Sequence, residues 1–368
     1  MMYYSTNGRA PQATLREAVE RGLAPDRGLY MPDHIQQLPA SFFDRIDQLT
    51  FQEMSFEVAR AFFGGDVDDA SLKRIVTDTL AFETPLRRVE EGIYSLELFH
   101  GPTLAFKDVG ARFMARLLQY FIHKDCEGRP MAGGEVNVLV ATSGDTGSAV
   151  ANGFLGEDGI HVYVLYPKGK VSRIQESQFT TLGRNITALE VDGVFDDCQA
   201  LVKNAFMDGE LNAHMTLTSA NSINVARFLP QAFYYFNAYA QLKRVAAVAD
   251  PSNLVVCVPS GNFGNITAGL FAKRMGLPVK PTISSTTTCR RANIVRSPAS
   301  RHWPTPWTWA IRAISPAYLI CMRTSGPTSR PTSVVPPIPT IVFARPCASV
   351  TRLRAMCSIL MEPAVGGP

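Results

Sequence analysis

The sequence predicts an α/β fold in which parallel sheets are flanked by helices and preceded by a small, mainly helical amino-terminal domain. From about residue 93 onward, short apolar stretches rich in β-branched residues alternate with amphipathic helical stretches, a pattern typical of strands joined by crossover helices. The first 85 residues show mostly helical periodicity. We therefore expect one domain over 1–85 and a second over 86–280, with ligands bound where the parallel strands end.

Each element is predicted from the spacing of its apolar residues. Four helices are expected in the amino-terminal region, over 15–21, 40–49, 55–63 and 70–82. A glycine-led polar break at 64–69 separates the last two. Strands are expected near residue 93 and over 136–141, 161–166, 186–191 and 254–258, with helices between them.

Length and composition set the class of protein. A chain of 368 residues with 46% hydrophobic content is large enough for sizeable cores. No run of eighteen apolar residues occurs and the amino terminus lacks a signal-peptide pattern, so we expect a cytoplasmic protein with no membrane partner. The seven cysteines form no Cys-x-x-Cys pair. We therefore expect free thiols, no disulfide framework and no metal site.

The net charge of +4 comes from the carboxyl-terminal tail, residues 281–368. This tail contains ten arginines, no lysine and one acidic residue, Glu362, so the preceding part of the chain is slightly acidic. A nucleic-acid partner is not expected, because the positive charge is confined to this atypical segment. The tail also holds all three tryptophans, and arginine without lysine beside tryptophan is unusual for a basic disordered arm.

The most informative segment is residues 99–108, which read FHGPTLAFKD. An apolar run bent by glycine and proline delivers Lys107 between Phe106 and Asp108. A lysine in such surroundings loses hydration, which lowers its pKa and makes the neutral amine more available for attack on a carbonyl. An aldehyde cofactor is its natural partner, although a single lysine with apolar neighbours is more often an ordinary surface charge.

Two strand-to-helix turns accompany this lysine. Residues 136–151 read VNVLVATSGDTGSAVA and residues 254–269 read LVVCVPSGNFGNITAG. In each, an apolar strand runs through a turn of small and polar residues into a helix, whose N-terminus favours an anion. The second turn is neither a Walker loop nor a dinucleotide fingerprint, because the required lysine and glycine spacing are missing.

Taken together and in this order, the three segments resemble the threonine synthase family, pyridoxal-phosphate enzymes of the tryptophan-synthase-β fold type. The openings YYSTN at 3–7 and GLAPDRGLYMP at 22–32 are similar to that family's amino terminus. Residues 219–231, SANSINVARFLPQ, are similar to one of its internal blocks. The resemblance covers residues 1 to about 280 and implies a lyase of threonine biosynthesis.

The resemblance also implies roles for individual residues. Lys107 is implied to be the lysine that bonds covalently to the aldehyde of pyridoxal 5'-phosphate, and Asp145 to contact the cofactor ring. The cofactor phosphate is implied to lie against Gly261, Asn262, Phe263, Gly264 and Asn265. The implied substrate is O-phospho-L-homoserine, which with water gives L-threonine and phosphate. The implied enzyme is a monomer or a homodimer.

The substrate carries its own phosphate, so a second anion site is expected. Ser222, Asn224 and Arg227 offer a hydroxyl, an amide and a guanidinium suited to it. Thr103, Ser143 and Thr146, with the lysines at 168 and 170, are weaker candidates. For Arg227, an exposed charge on a helix running from Phe228 to Tyr235 is the competing interpretation.

The tail is best explained by a change of reading frame near Lys280. Plausible codons for 282–290, 304–317 and 352–367, read at one shifted offset, spell sequences similar to family blocks in family order. The family normally takes a hydroxyl for the pyridine nitrogen from a later segment, and no tail residue can be assigned that role. Misframed sequence has no selected periodicity. We therefore expect the tail not to pack as the missing half-domain and the chain as given to be poorly folded or inactive.

Two other hypotheses remain. One is another enzyme of the same cofactor class, such as a threonine dehydratase or a cysteine synthase, although 3–7 and 222–231 favour threonine synthase. The other is a non-catalytic module that binds a phosphate ligand or a partner protein.

Overall fold

The computed structural model describes residues 1–90, 92–126, 135–245, 254–258 and 263–279, together with two strands beyond them, Ile283–Ser285 and Thr340–Ala344. All four helices predicted in the amino-terminal region are present. They are α1 (Leu15–Arg21), α2 (Ala40–Arg45) followed by a 3₁₀ turn (Ile46–Gln48), α3 (Phe51–Phe63) and α4 (Asp69–Thr79).

The starts of α1 and α3 are fixed by capping boxes. Thr14 and Thr50 accept the backbone N–H three residues on, and the glutamates at those positions, Glu17 and Glu53, reach back to the threonine N–H. These reciprocal bonds satisfy N–H groups that the helix cannot pair internally. The Thr50 cap explains why α3 begins at Phe51, four residues before the predicted start.

A short antiparallel pair at the amino terminus was not predicted. It joins β1 (Tyr3–Ser5) to β2 (Tyr30–Pro32), with Tyr3 opposite Pro32. Strands of three residues are too short to display the alternation by which a strand is recognised in a sequence. The Asp26 carboxylate ties the segment before β2 to the end of β1 and the residues after it, because it accepts hydrogen bonds from the Ser5 hydroxyl (2.5 Å) and from the backbone N–H groups of Arg9 and Ala10.

A four-stranded sheet forms the first part of the α/β region. Its strands are β5 (Val136–Ala141), β6 (Ile160–Pro167), β7 (Ile186–Val191) and β8 (Thr216–Ser219), in the order β7-β6-β5-β8. Every pair in it is parallel, as predicted. Strand β8 was not predicted, because its sequence TLTS is short and three of its four residues are polar.

The second sheet is mixed, so the prediction of parallel sheets is correct for only one of the two. It contains β3 (Leu86–Glu90), β4 (Ile93–Glu97), β9 (Val255–Val258), β10 (Ile283–Ser285) and β11 (Thr340–Ala344), in the order β10-β9-β11-β4-β3. Only β9 and β10 run parallel. Strand direction depends on distant pairing partners, which apolar spacing does not reveal.

Two of these strands come from the tail, which we expected not to pack. Strand β11, with sequence TIVFA, pairs antiparallel with both β4 and β9. Its β-branched and aromatic residues suit a pleated sheet, so local strand propensity accounts for this difference from the expectation. The rest of the tail lies outside the described residues.

Helices connect the strands and cover both sheets. They are α5 (Lys107–Cys126), α6 (Asp145–Gly153), α7 (Arg173–Thr180), α8 (Phe195–Met207), α9 (Gly209–His214), α10 (Val225–Phe228), a 3₁₀ turn (Leu229–Gln231), α11 (Ala232–Arg244) and α12 (Gly264–Arg274). Within the described residues, none of the helices is long and apolar enough to cross a membrane.

The main hydrophobic core extends across the predicted domain boundary near residue 85. It contains side chains from β1 through α12, so the amino-terminal helices and the second domain share one core. Tyr3, in β1, belongs to this core, and its hydroxyl lies 3.5 Å from the Phe62 carbonyl in α3. Helix α11 is central to it, because residues 232–240 are buried without interruption. This helix separates and supports the segments that carry the predicted site residues.

Candidate active site

Lys107 is the first residue of α5, and its side chain is partly buried, with 18% of its surface exposed. Its Nζ lies 3.7 Å from Asp145 Oδ2 and 5.7 Å from the centre of the Phe106 ring. The segments 99–108 and 136–151, which are far apart in sequence, thus meet as predicted. An amine and a carboxylate face each other where β5 ends.

The surroundings of Lys107 favour its reactive form. Burial lowers the pKa of the Lys107 amine, the nearby Asp145 carboxylate opposes this, and the positive charge of Arg227 lowers the pKa further. A lower pKa increases the neutral fraction of an amine near neutral pH. Because only neutral amine attacks a carbonyl, this geometry suits a lysine that bonds to an aldehyde.

The bend before Lys107 is held by Asp108, whose side chain is 1% exposed. Its carboxylate accepts the Thr103 backbone N–H (3.0 Å) and the Thr103 hydroxyl. Gly101 leaves the room for this carboxylate, since a Cβ there would collide with it. The Thr103 hydroxyl is therefore engaged inside the protein. We conclude that Thr103 holds the bend, whereas the sequence predicted it as a substrate contact.

The turn that carries Asp145 is built around Thr142 and Gly144. The Thr142 hydroxyl oxygen accepts the backbone N–H groups of Gly144 (3.0 Å) and Gly147 (2.8 Å), which fixes the start of α6. Gly144 has a φ of 142°, and a Cβ there would collide with Gln175. The Gln175 amide donates to Asp145 Oδ1, so the other carboxylate oxygen is the one nearest Lys107.

Two predicted substrate contacts in this turn remain accessible. Ser143 is exposed and Thr146 is half-buried. Both flank Asp145 in the sequence at the N-terminus of α6. Both residues therefore lie close to Asp145 in the chain, whereas Lys168 and Lys170 are exposed in the turn after β6.

Arg227 is buried, with 2% exposure, so the competing interpretation of an exposed helix charge is wrong. Its Nη1 donates to the Ala220 carbonyl at 2.6 Å, whereas its Nε has no hydrogen-bond partner among the described residues. Burial lowers the pKa of Arg227 to about 10, an effect that Asp108 opposes. The guanidinium stays charged at neutral pH and places a fixed positive charge behind Lys107. A Cβ on Gly110 would collide with the Arg227 carbonyl, so α5 and α10 lie backbone to backbone.

Asn224 occupies a different position from the one predicted. It is fully buried; its amide donates to the Val19 carbonyl (2.8 Å) and the Ser219 carbonyl (3.2 Å), while its Oδ1 accepts the Ala226 N–H (3.0 Å). These bonds use both amide hydrogens and cap α10. Asn224 therefore ties α1 to the 219–227 segment, and we withdraw it as a substrate contact.

We expect Asn224→Ala to lower the free energy of unfolding by about 2–3 kcal/mol, because the Val19 and Ser219 carbonyls lose buried donors and α10 loses its cap. Urea denaturation monitored by circular dichroism measures this. Asn212→Ala is the matched control. The Asn212 amide likewise donates to a backbone carbonyl, that of Ala205 (3.0 Å), but Asn212 is exposed. This substitution should therefore lower the free energy of unfolding by less than about 1 kcal/mol. Equal effects of the two substitutions would contradict a bridging role for Asn224.

The glycine-rich turn approaches the same region from the other side. Gly261 and Asn262 lie outside the described residues. Phe263 is half-buried, and Gly264 and Asn265 are the first two residues of α12, both buried. A Cβ on Gly264 would lie 3.8 Å from Ser222 Cβ and 3.9 Å from the Gln231 amide nitrogen. The start of α12 therefore meets the 219–231 block, and the half-buried Ser222 is the residue of that block at the contact.

Several residues of the site were missed in the sequence. Asp108, Gln175, Gln231, Tyr234 and Tyr235 reach it through tertiary contacts. Of these residues, only Asp108 could have been identified from the sequence, because it directly follows Lys107. The others lie on helices whose apolar spacing indicates a core.

The residues present fit a cofactor with an aldehyde and a phosphate. Lys107 offers the amine, and α12 presents its N-terminus beside Gly264, where anions bind favourably. Three buried polar atoms in the 219–231 block, Asn221 Oδ1, Arg227 Nε and Gln231 Oε1, lack partners within the part of the chain that the structure describes. Unpaired buried polar groups are costly and are common where a ligand supplies the partner.

Two family models match the sequence. The model described as "Threonine synthase N terminus" matches residues 2–80, and the model described as "Pyridoxal-phosphate dependent enzyme" matches residues 78–311. Among curated proteins, threonine synthase of Haemophilus influenzae is 47% identical over 78% of this chain and 64% of its own length. Threonine synthase of Escherichia coli is 45% identical over the same shares. The chain thus spans less than two thirds of these relatives.

Solved structures give the same result. The crystal structure of threonine synthase from Escherichia coli aligns with a TM-score of 0.69 and 43% identity, over 78% of this chain and 65% of that one. Pyridoxal-phosphate-bound threonine synthase from Brucella melitensis aligns with a TM-score of 0.68 and 39% identity, over 76% of this chain and 59% of that one.

Proposed function

The chain belongs to the pyridoxal-phosphate-dependent enzyme family, and we propose that it carries the site of a threonine synthase, which converts O-phospho-L-homoserine and water into L-threonine and phosphate. Pyridoxal phosphate is the cofactor of this family. The observation that carries the proposal is the meeting of Lys107, Asp145 and the Arg227 segment at one point, since this places an amine of lowered pKa beside a carboxylate and a buried cation.

When bound, the cofactor supplies an electron sink for negative charge at the substrate's carbons. Lys107 would hold the cofactor through its aldehyde, and the same amine would move protons at the substrate's α, β and γ carbons. Its lowered pKa keeps it able to accept a proton near neutral pH. Asp145, held by Gln175, lies 3.7 Å from this amine and stabilises its charged form, which is the form that donates a proton.

The substrate phosphate needs a separate anion site. We assign to it the hydroxyls that remain accessible, on Ser143, Thr146 and Ser222. Arg227 contributes from behind them as a fixed positive charge. The hydroxyls orient the phosphate as it leaves, and the buried cation favours the negative charge that develops on it. The cofactor phosphate is assigned to Gly261, Asn262, Phe263, Gly264 and Asn265.

The proposal includes a cytoplasmic enzyme that acts as a monomer or a homodimer. Cys198 and Cys257 are buried and are not joined in a disulfide, which suits a reducing compartment.

We also propose that residues 281–368 are read from a shifted frame. The curated relatives match 78% of the chain, and the tail has ten arginines without a lysine. The family model continues to residue 311, past the proposed break near Lys280. Reading the nucleotides around codon 280 tests this directly, because an intact frame there would contradict it.

The activity is tested by supplying three substrates to the protein with its frame restored. Inorganic phosphate released from O-phospho-L-homoserine, with L-threonine formed in equal amount, is the expected result. Ammonia released from threonine would indicate a dehydratase, and sulfide-dependent cysteine formation from O-acetylserine would indicate a cysteine synthase. A folded protein that binds phosphate compounds but turns over none of the three would indicate a binding module.

A further inference from the structure

Two adjacent tyrosines on α11, Tyr234 and Tyr235, connect the two ends of the proposed cofactor site. Both side chains are fully buried, and each hydroxyl bonds to a different segment of that site. We propose that Tyr234 and Tyr235 are positioning residues that set the spacing between the Lys107 amine and the Asn265 end of the glycine-rich turn. This inference rests on the proposed function, because it assumes that the cofactor lies between these ends.

Tyr234 fixes the backbone on both sides of Lys107. Its hydroxyl donates to the Phe106 carbonyl at 2.5 Å, one residue before the lysine. The Val109 backbone N–H hydrogen-bonds to the same oxygen, which opposes the rise in the pKa of Tyr234 caused by burial and by Asp108. The hydroxyl thus spans the first turn of α5, where the backbone N–H groups lack partners in the helix.

Tyr235 fixes Asn265 on the opposite side. Its hydroxyl lies 2.7 Å from Asn265 Oδ1 and 2.9 Å from the Asn265 carbonyl, so one hydroxyl holds the side chain and the main chain of the same residue. Asn265 is the second residue of α12, directly after Gly264. Holding it therefore fixes the N-terminus of α12, where we assign the cofactor phosphate.

Gly269 makes room for Tyr235. A Cβ there would lie 2.6 Å from Cε1 and Cζ of the Tyr235 ring and 2.9 Å from its hydroxyl. Contacts this short force the ring to move. The glycine is thus required by the tyrosine, which gives a second way to disturb the contact without removing the hydroxyl.

Neighbouring residues on a helix project about 100° apart, so α11 directs Tyr234 toward α5 and Tyr235 toward α12. Residues 232–240 are buried without interruption, which holds the helix rigid between these two neighbours. One helix thereby sets the distance between the amine and the anion site. A cofactor whose aldehyde and phosphate are at a fixed separation depends on that distance.

The test compares binding of pyridoxal phosphate with binding of pyridoxal, which lacks the phosphate, by absorbance titration of the full chain. We expect Tyr235→Phe to weaken binding of pyridoxal phosphate about fivefold to tenfold and to change pyridoxal binding less than about twofold. Tyr234→Phe should weaken both compounds alike, since both carry the aldehyde. Tyr239→Phe, on the same helix but beside Lys243 and Asp47, is the control and should change neither.

Gly269→Ala should reproduce the Tyr235→Phe result, and combining the two should add little, since both remove the same contact. If Tyr235→Phe and Gly269→Ala weaken both compounds equally or neither, the inference is wrong. If the unsubstituted chain binds the two compounds equally, the proposed phosphate site is wrong and the inference with it. A preference for pyridoxal phosphate that persists in both variants overturns the inference alone.

Discussion

Replacing Lys107 with alanine should abolish covalent attachment of pyridoxal phosphate. Borohydride reduction traps a cofactor bonded to a lysine, and peptide mapping then identifies that lysine. We expect label on the peptide containing Lys107 and none in Lys107→Ala. In the frame-restored enzyme, phosphate release should also fall about a hundredfold to ten-thousandfold, because a positioned acid–base group contributes that much to rate.

The control lysines for this experiment are Lys168 and Lys170. Both are exposed in the turn after β6, whereas Lys107 is partly buried beside the Asp145 carboxylate. Alanine at either position should leave the label on Lys107 unchanged. If Lys107→Ala still incorporated the cofactor at another lysine in full yield, the assignment of the site would be wrong.

Restoring the reading frame after residue 280 should raise phosphate release from O-phospho-L-homoserine by at least about a hundredfold. The chain spans 64% of its curated relatives, so much of the family's length has no counterpart in it. Even a displacement of about 1 Å in a catalytic group can reduce rate a hundredfold, and the proposed frame shift would replace whole segments. Steady-state phosphate release, measured at equal protein concentration, makes the comparison.

The frame-restored protein carrying Lys107→Ala serves as the blank, because it has the complete length without the proposed amine. Equal turnover by the chain as given and the restored chain would contradict the frame-shift proposal. It would also mean that the strands Ile283–Ser285 and Thr340–Ala344 complete a working sheet.

Local sequence signals predicted the elements and the chemistry well. Strands 136–141 and 186–191 were predicted to the residue, because each is rich in apolar and β-branched residues and lies between glycine-containing polar turns. Lys107 was identified because its apolar neighbours contrast with its charge. The resemblance to the family implied that Asp145 contacts the cofactor bound to Lys107, and the two side chains lie close together in the structure.

Features that depend on distant contacts were not predicted. Arg227 was predicted as a ligand of the substrate phosphate, with an exposed helix charge as the alternative, and only the packing of α10 against α5 shows that it is buried. Asn224 was predicted as a substrate ligand because its amide suits an anion. In the structure its amide donates to backbone carbonyls, one of which, that of Val19, is more than two hundred residues away in the sequence. The directions of the strands in the mixed sheet depend in the same way on partners that spacing does not specify.

The bond from Asn224 to the Val19 carbonyl has a consequence for how this chain can be divided. The Thr218 hydroxyl donates to the same carbonyl at 3.3 Å, so two hydrogen bonds hold the end of α1 against residues 218–224. The first eighty residues therefore cannot be exchanged for those of another protein without replacing these contacts. A different amino-terminal region joined to residues 86–280 must place an acceptor oxygen where the Val19 carbonyl lies. Otherwise the Asn224 amide and the Thr218 hydroxyl lose a buried hydrogen-bond acceptor.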